Sequence, residues 1–283
     1  MTLQLLDTFS GIGGFSYAAE HIVGGFETVA FVEREPYCQR ILAKHWPTVP
    51  IHDDICTFNP APGSADIVCG GFPCQDISHA GKQAGIKEGT RSGLFYELMR
   101  VIRLVQPRYV VLENVAAILA NGLDTVLGEL AKAGFDAEWA CIPASAVGAC
   151  HQRDRWWLVA YSNHAGVEAP WSKQLAARAQ QHGELDAANT SSQRLERQKY
   201  PQWRIAQQLC PDWGGYISKP VLCRRDDGLS GRVDRLKALG NAVVPQVAAI
   251  PLARVLELER VRAADPATHP PDMQHRSYQA VPQ

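Results

Sequence analysis

The chain has 283 residues, 46% of them hydrophobic and 20% charged, and 28 Lys+Arg stand against 29 Asp+Glu for a net charge of -1. That composition excludes a largely disordered chain and supplies ample apolar material for a core. With the charges balanced, any polyanion must be held by a local basic surface. At roughly 100–200 residues per domain, the length fits one large domain or one domain with a smaller companion. No run of about 18 apolar residues stands out, so no membrane span is expected. The start, MTLQLLDTFS, lacks the basic-then-apolar layout of an export signal. The eight cysteines form no CxxC pair. This argues against a metal site and fits reduced thiols in a cytoplasmic setting.

The first 160 residues alternate apolar runs with amphipathic ones. Strands are expected at 3–9 (LQLLDTF), 27–33 (ETVAFVE), 66–71 (DIVCGG) and 107–115 (PRYVVLENV), with two more at FDAEWACIPA and RWWLVAYS. Helices are expected at GFSYAAEHIVG, PYCQRILAKHW, SGLFYELMRVIRLVQ and LDTVLGELAKAG. Pro36 suits a first helical turn, and Leu94, Leu98, Ile102 and Val105 recur on one helical face. Strands separated by helices of this length predict an α/β fold with a mostly parallel sheet covered on both faces. After Tyr161 the texture changes. Residues 162–230 carry nine Lys+Arg against seven Asp+Glu, three tryptophans (Trp171, Trp203, Trp213) and little periodicity, the mark of a small subdomain or long insertion. Regularity returns from 231 with RVDRLKALGNAVVPQ and a helix, QVAAIPLARVLELERVRA. The Pro-rich, polar end is expected to be a disordered tail.

Four features carry possible chemistry. DTFSGIGGF follows the first strand, and a strand, a Gly-rich turn and a helix start make a cradle that backbone lets a ligand approach closely. Its spacing is not GxGxxG, and a tight structural turn is the other reading. Glu33, 20 residues after Gly13, ends the second strand, where a carboxylate can accept hydrogen bonds from both hydroxyls of a ribose or simply be solvated. In GGFPCQDIS, Pro73 stiffens a turn that presents Cys74 at a strand's carboxyl end, followed by the polar Gln75, Asp76 and Ser78. A thiol there is a nucleophile or a small buried hydrophobe. Glu113 ends a long apolar strand, where desolvation raises a carboxyl pKa and suits it to proton donation; a structural turn cap is the alternative. In HQRDR, Arg153 and Arg155 are two apart, so on a strand both point to one face, fit for a phosphate or carboxylate. An ion-pair network around Asp154 would use them equally well.

In this order the motifs resemble the cytosine-C5 DNA methyltransferase family. DTFSGIGGF resembles its cofactor loop, GGFPCQ its nucleophile loop, ENV its glutamate motif, QRDR its paired arginines, and GNAVVP (240–245) its closing motif. The likeness covers roughly 1–160 and 230–260. Many members have Gln where this chain has His151. The resemblance implies a Rossmann-like S-adenosylmethionine-dependent methyltransferase sheet with a small target-recognition subdomain. The implied division is a catalytic and cofactor-binding part at 1–161, a target-recognition region at 162–230, a return segment at 231–263 and a tail at 264–283. It implies that Cys74 adds to C6 of a flipped-out cytosine, that Glu113 bonds N3 and the exocyclic amine, and that Arg153 and Arg155 support O2 and a nearby phosphate. Phe9, Gly11, Ile12, Gly13, Glu33, Asp54, Ile55, Phe72 and Asn241 are the implied cofactor residues. The stretch 81–95 is similar to the family's mobile loop. The implied partner is double-stranded DNA, with the chain a monomer in a restriction–modification or phage setting and a cognate restriction endonuclease left open.

Other readings stay in view. The same chemistry on RNA would differ only in the 162–230 region. A nucleotide-binding oxidoreductase explains the glycines and Glu33 but gives no task to Cys74, Glu113 and Arg153 together. A binding protein that kept the fold would not need the reactive residues.

Overall fold

The computed structural model describes residues 2–73, 93–149, 151–162 and 232–264. Cys74, most of the 81–95 loop, the 162–230 region beyond Ser162 and the tail beyond Ala264 lie outside the described residues.

Leu3–Thr8 forms β1, and a single α-helical turn, α1, follows at Gly14–Tyr17. It widens into a π-helical stretch at Ala18–Val23, closed by Gly24 at φ 75. One regular helix was expected over this span. The widened turn accompanies Glu20, whose carboxylate accepts from the Thr28 backbone N–H and the Trp46 indole, both at 2.8 Å. Then come β2 (Phe26–Val32), α2 (Pro36–His45), β3 (Ile51–His52), β4 (Ile67–Gly70), α3 (Leu94–Val105) and β5 (Tyr109–Val115). After them follow α4 (Ile118–Asn121), α5 (Leu123–Lys132), β6 (Phe135–Ile142), a 3-10 turn (Ala144–Val147) and β7 (Arg155–Ser162), with α6 (Arg232–Asn241) and α7 (Pro245–Ala264) beyond. Pro36 opens α2 as expected. The two-residue β3 is too short to announce itself by periodicity.

The strands form one sheet in the order β3-β2-β1-β4-β5-β7-β6. The first five are mutually parallel, whereas β7 runs antiparallel to both β5 and β6. Side chains alternate across it. Leu6, Val68, Val110, Leu112 and Leu158 point to one face, where Phe95, Leu98, Met99 and Ile102 of α3 and Val126 and Leu130 of α5 cover them. Leu3, Leu5, Ile67, Val111 and Val159 point to the other, beneath Phe15 and the Val247, Leu252, Val255 and Leu258 side of α7. Each such buried side chain contributes about 1.5–3 kcal/mol. A polar clasp fastens α7 to the sheet: Arg108 pairs with Asp66 and Glu259, and the Tyr109 hydroxyl donates to Glu259. The stretch Ala238–Ala264 contains an 18-residue window of mean hydropathy 1.4, long and apolar enough by composition to cross a bilayer. That was not anticipated from the sequence; here Val247, Ala248, Leu252 and Val255 are buried against the sheet.

Because β1 and β4 are neighbours while their chain connections run to opposite sides, the sheet has a topological switch point between them. In open α/β sheets that is where ligands bind, beyond the carboxyl ends of the strands.

Candidate active site

Four segments reach the switch point. Thr8, Gly70 and Leu112 lie in one register row across β1, β4 and β5, so the loops after β1 and β4 are side by side, and Glu113 is the next residue of β5. Antiparallel β7 starts at this same end, with Arg155 opposite Val115. Arg155 is therefore diagonal to Glu113 on one face, and its Nε lies 2.9 Å from Glu113 Oε1. Burial raises the Glu113 pKa. The Arg155 and Arg153 guanidiniums pull it back, as does the Arg155 hydrogen bond.

The loop after β4 begins against this carboxylate. A side chain at Gly71 would put its Cβ 3.0 Å from Glu113 Oε2, so glycine is what lets the chain pass. On the opposite face of β5, Asn114 Nδ2 donates to the Phe72 carbonyl at 3.1 Å. Phe72 itself is buried, with its ring centroid 5.1 Å from that of Phe95. Adjacent residues of one strand thus flank the turn that precedes Cys74, Asn114 by a hydrogen bond and Glu113 by close approach; Cys74 itself lies outside the described residues.

The arginines do not share a strand as their spacing predicted. β7 starts at Arg155, and Arg153 precedes it in the left-handed region at φ 40. They still meet, because Glu113, Arg153, Arg155, Trp157, Val243 and Val247 line one small cavity. Arg153 Nη2 donates to the carbonyls of Gly240 (2.9 Å) and Ala242 (2.8 Å). Its pKa is lowered by burial and by Arg155. His151 is exposed.

On the cradle side, Phe9 and Gly11 take φ 51 and 55, and Gly13 takes 85. The loop is backed from below: a Cβ on Gly13 would meet the Trp46 ring at 2.6 Å, and one on Gly14 would meet the Val243 carbonyl at 2.9 Å. A Cβ on Gly11 would meet nothing within 4 Å among the described residues. Buried Glu33 accepts from the Gly11 N–H at Oε2 and the Glu35 N–H at Oε1, both at 2.7 Å. Burial raises its pKa, while those N–H groups oppose the rise. Each oxygen keeps a lone pair, so the carboxylate can hold the loop and still accept from a diol. Asp54, beyond β3, accepts from the Cys56 N–H at 2.9 Å, which lowers its pKa. Ile55 is buried, Ile12 is half-buried, and Asn241 is exposed at the end of α6. A glycine turn backed by Trp46 and Val243, with a carboxylate beside it, fits a nucleoside-bearing cofactor such as S-adenosylmethionine. Among the described residues no group of three His, Cys, Asp or Glu could hold a metal ion.

Sequence reasoning missed several supports. Asp7, fully buried below the loop, accepts from the Ser16 N–H (3.3 Å) and Oγ–H (2.8 Å), and burial pushes its pKa up to about 7. Arg100 of α3 donates to the carbonyls of Ile55 and Phe58, fixing the Asp54–Ile55 turn. Gln39 Nε2 donates to the Glu33 carbonyl. Asn114 stood in the ENV motif and could have been singled out; a lone helical Arg or Gln carries no such signal.

A family model described as C-5 cytosine-specific DNA methylase matches residues 3–212. The chain is 34% identical over 165 residues to the Type II methyltransferase M.CviJI of Paramecium bursaria Chlorella virus IL3A, covering 56% of this chain and 43% of that protein. It is 29% identical over 227 residues to the Type II methyltransferase M.Eco47II of Escherichia coli, covering 75% and 53%. The matched part thus spans about half or less of these relatives' length. Among solved structures, the Entamoeba histolytica methyltransferase EhMeth has a TM-score of 0.57 at 14% identity, covering 90% of this chain and 99% of that one. That likeness is one of fold.

Proposed function

The chain belongs to the C-5 cytosine-specific DNA methylase family, and on that premise we propose that it methylates C5 of a cytosine within a short sequence of double-stranded DNA. The observation that carries the reading is the half-buried Glu113 carboxylate, paired with Arg155 at 2.9 Å and set against Gly71, three residues ahead of Cys74.

Aromatic C5 is a poor nucleophile, and the chain's own residues would correct that. The Cys74 thiolate adds to C6, forming a C–S bond and moving an electron pair toward C5. Glu113, whose carboxyl pKa is raised by burial, hydrogen-bonds the N3 edge and offsets the charge that develops there. Arg155 holds Glu113 and reaches for O2. S-Adenosylmethionine, when bound, would supply an electrophilic methyl group at C5; Glu33, Phe9 and the Gly11–Gly13 backbone would hold it, with Asp54 and Ile55 at its adenine. Loss of the C5 proton to a base and departure of Cys74 as thiolate then restore the aromatic ring. A base inside a stacked duplex cannot be reached this way, so the cytosine must be flipped out. A restriction–modification or prophage system is the setting this activity fits, in the cytoplasm.

The test is incubation with a 5-fluorocytosine duplex and S-adenosylmethionine, which removes the proton whose loss frees the enzyme. A covalent protein–DNA adduct that disappears in Cys74→Ser is expected. Absence of both adduct and methyl transfer in the wild-type chain would overturn the reading.

A further inference from the structure

We propose that Arg153 is a positioning residue for cofactor binding, fastening the 240–245 segment to the glycine loop. The inference rests on the methyltransferase reading above. Arg153 had been expected to meet the substrate. Instead one of its terminal nitrogens donates to both the Gly240 and Ala242 carbonyls, at 2.9 and 2.8 Å. These carbonyls flank Asn241 at the end of α6, where a helix leaves its last carbonyls without intrahelical partners and where a cation is favoured. Arg153 makes this reach from a left-handed backbone, φ 40, that a non-glycine residue holds only when its surroundings impose it.

The fastened segment bears directly on the cradle. The Val243 carbonyl and Cβ lie 2.9 and 3.1 Å from where a Cβ on Gly14 would stand. On its other side Arg153 lines the same cavity as Glu113 and Arg155. A continuous path therefore runs from the Glu113–Arg155 pair through Arg153 to 240–242, and through Val243 to the glycine loop. Arg153 acts on the cofactor through this segment, with Asn241 held between its two acceptors.

The experiment is calorimetric titration of the full chain with S-adenosylhomocysteine, without DNA. Arg153→Met keeps the apolar stem and removes the donors. It is expected to bind about tenfold more weakly, with the cofactor KM raised more than kcat is lowered. Arg153→Lys presents several N–H donors at one nitrogen, as the present geometry needs, and is expected to bind within about threefold of wild type. Arg153→Met added to Asn241→Ala is expected to weaken binding no further than Asn241→Ala alone. Wild-type affinity in Arg153→Met, or additive losses in the double variant, would overturn the inference. Should Arg153→Met not fold, Arg153→Gln, too short to reach both carbonyls, takes its place: a tenfold loss supports the role and wild-type affinity overturns it. A wild-type chain that does not bind S-adenosylhomocysteine would remove the methyltransferase reading itself, which separates the two failures.

Discussion

Asp7 offers the most quantitative prediction. Its carboxyl is inaccessible to solvent beneath the glycine loop, with Oδ2 bonded to Ser16 and Oδ1 without a partner among the described residues. Burial moves its pKa from 3.8 to about 7, and the nearby Glu33 and Glu20 carboxylates push the same way. A raised folded-state pKa means that folding takes up a proton between those two values, so this group's contribution to stability falls as pH rises through the window. At 1.36 kcal/mol per unit the full loss is on the order of 4 kcal/mol, complete above about pH 7. Asp7→Asn keeps an acceptor for Ser16 and does not titrate. Urea unfolding of both proteins from pH 5.5 to 8.5 isolates the effect. The stability of wild type minus that of the variant should drop by about 2 kcal/mol between pH 5.5 and 7, then level off. A difference that does not change with pH would mean that Asp7 is charged in the folded state throughout, and the reasoning from burial would fail.

Glu113→Gln should slow single-turnover methyl transfer by roughly 10²-fold or more, as loss of a positioned proton donor does; a near-normal rate would take Glu113 out of the chemistry. Gly13→Ala forces a Cβ to 2.6 Å from the Trp46 ring at φ 85. It should cost about 2 kcal/mol, seen as a fall in Tm of about 4–8 °C, and an unchanged Tm would contradict the packing described. Asn114→Ala strips the Phe72 carbonyl of its donor. A stability loss of about 1–3 kcal/mol in urea unfolding is expected, together with slower adduct formation at Cys74, and a variant that loses neither would show that the turn is held by other contacts.

Much of the sheet was legible because its strands are buried on both faces and read as continuous apolar runs: VCG, VVL and WLVA need no partner to announce them. The glycine loop, Glu113 and Arg155 could be singled out for a different reason, since each sits where a run stops or starts. What could not be read is what depends on distant partners. The reversal of β7 is set by its pairing with β5 and β6, and it puts Arg155 beside Glu113 without any local signal. Arg153 misled because a spacing of two implies a shared face only inside a strand, and its two carbonyl acceptors lie nearly ninety residues on. The same holds for Asp7, whose isolated DTF looks like a strand end until Ser16 folds back over it, and for Arg100, which looks like any solvated helix residue.

The packing of α7 has a consequence for how the chain is made. The face that buries Leu3, Leu5, Ile67 and Val111 is completed by Val247, Leu252, Val255 and Leu258, all of which emerge from the ribosome after Ser162. At about 5–20 residues per second, the gap between Ser162 and Leu258 lasts roughly 5–20 seconds. During that interval the apolar face that α7 covers lacks this helix, so the window for chaperone capture or aggregation closes only when α7 arrives.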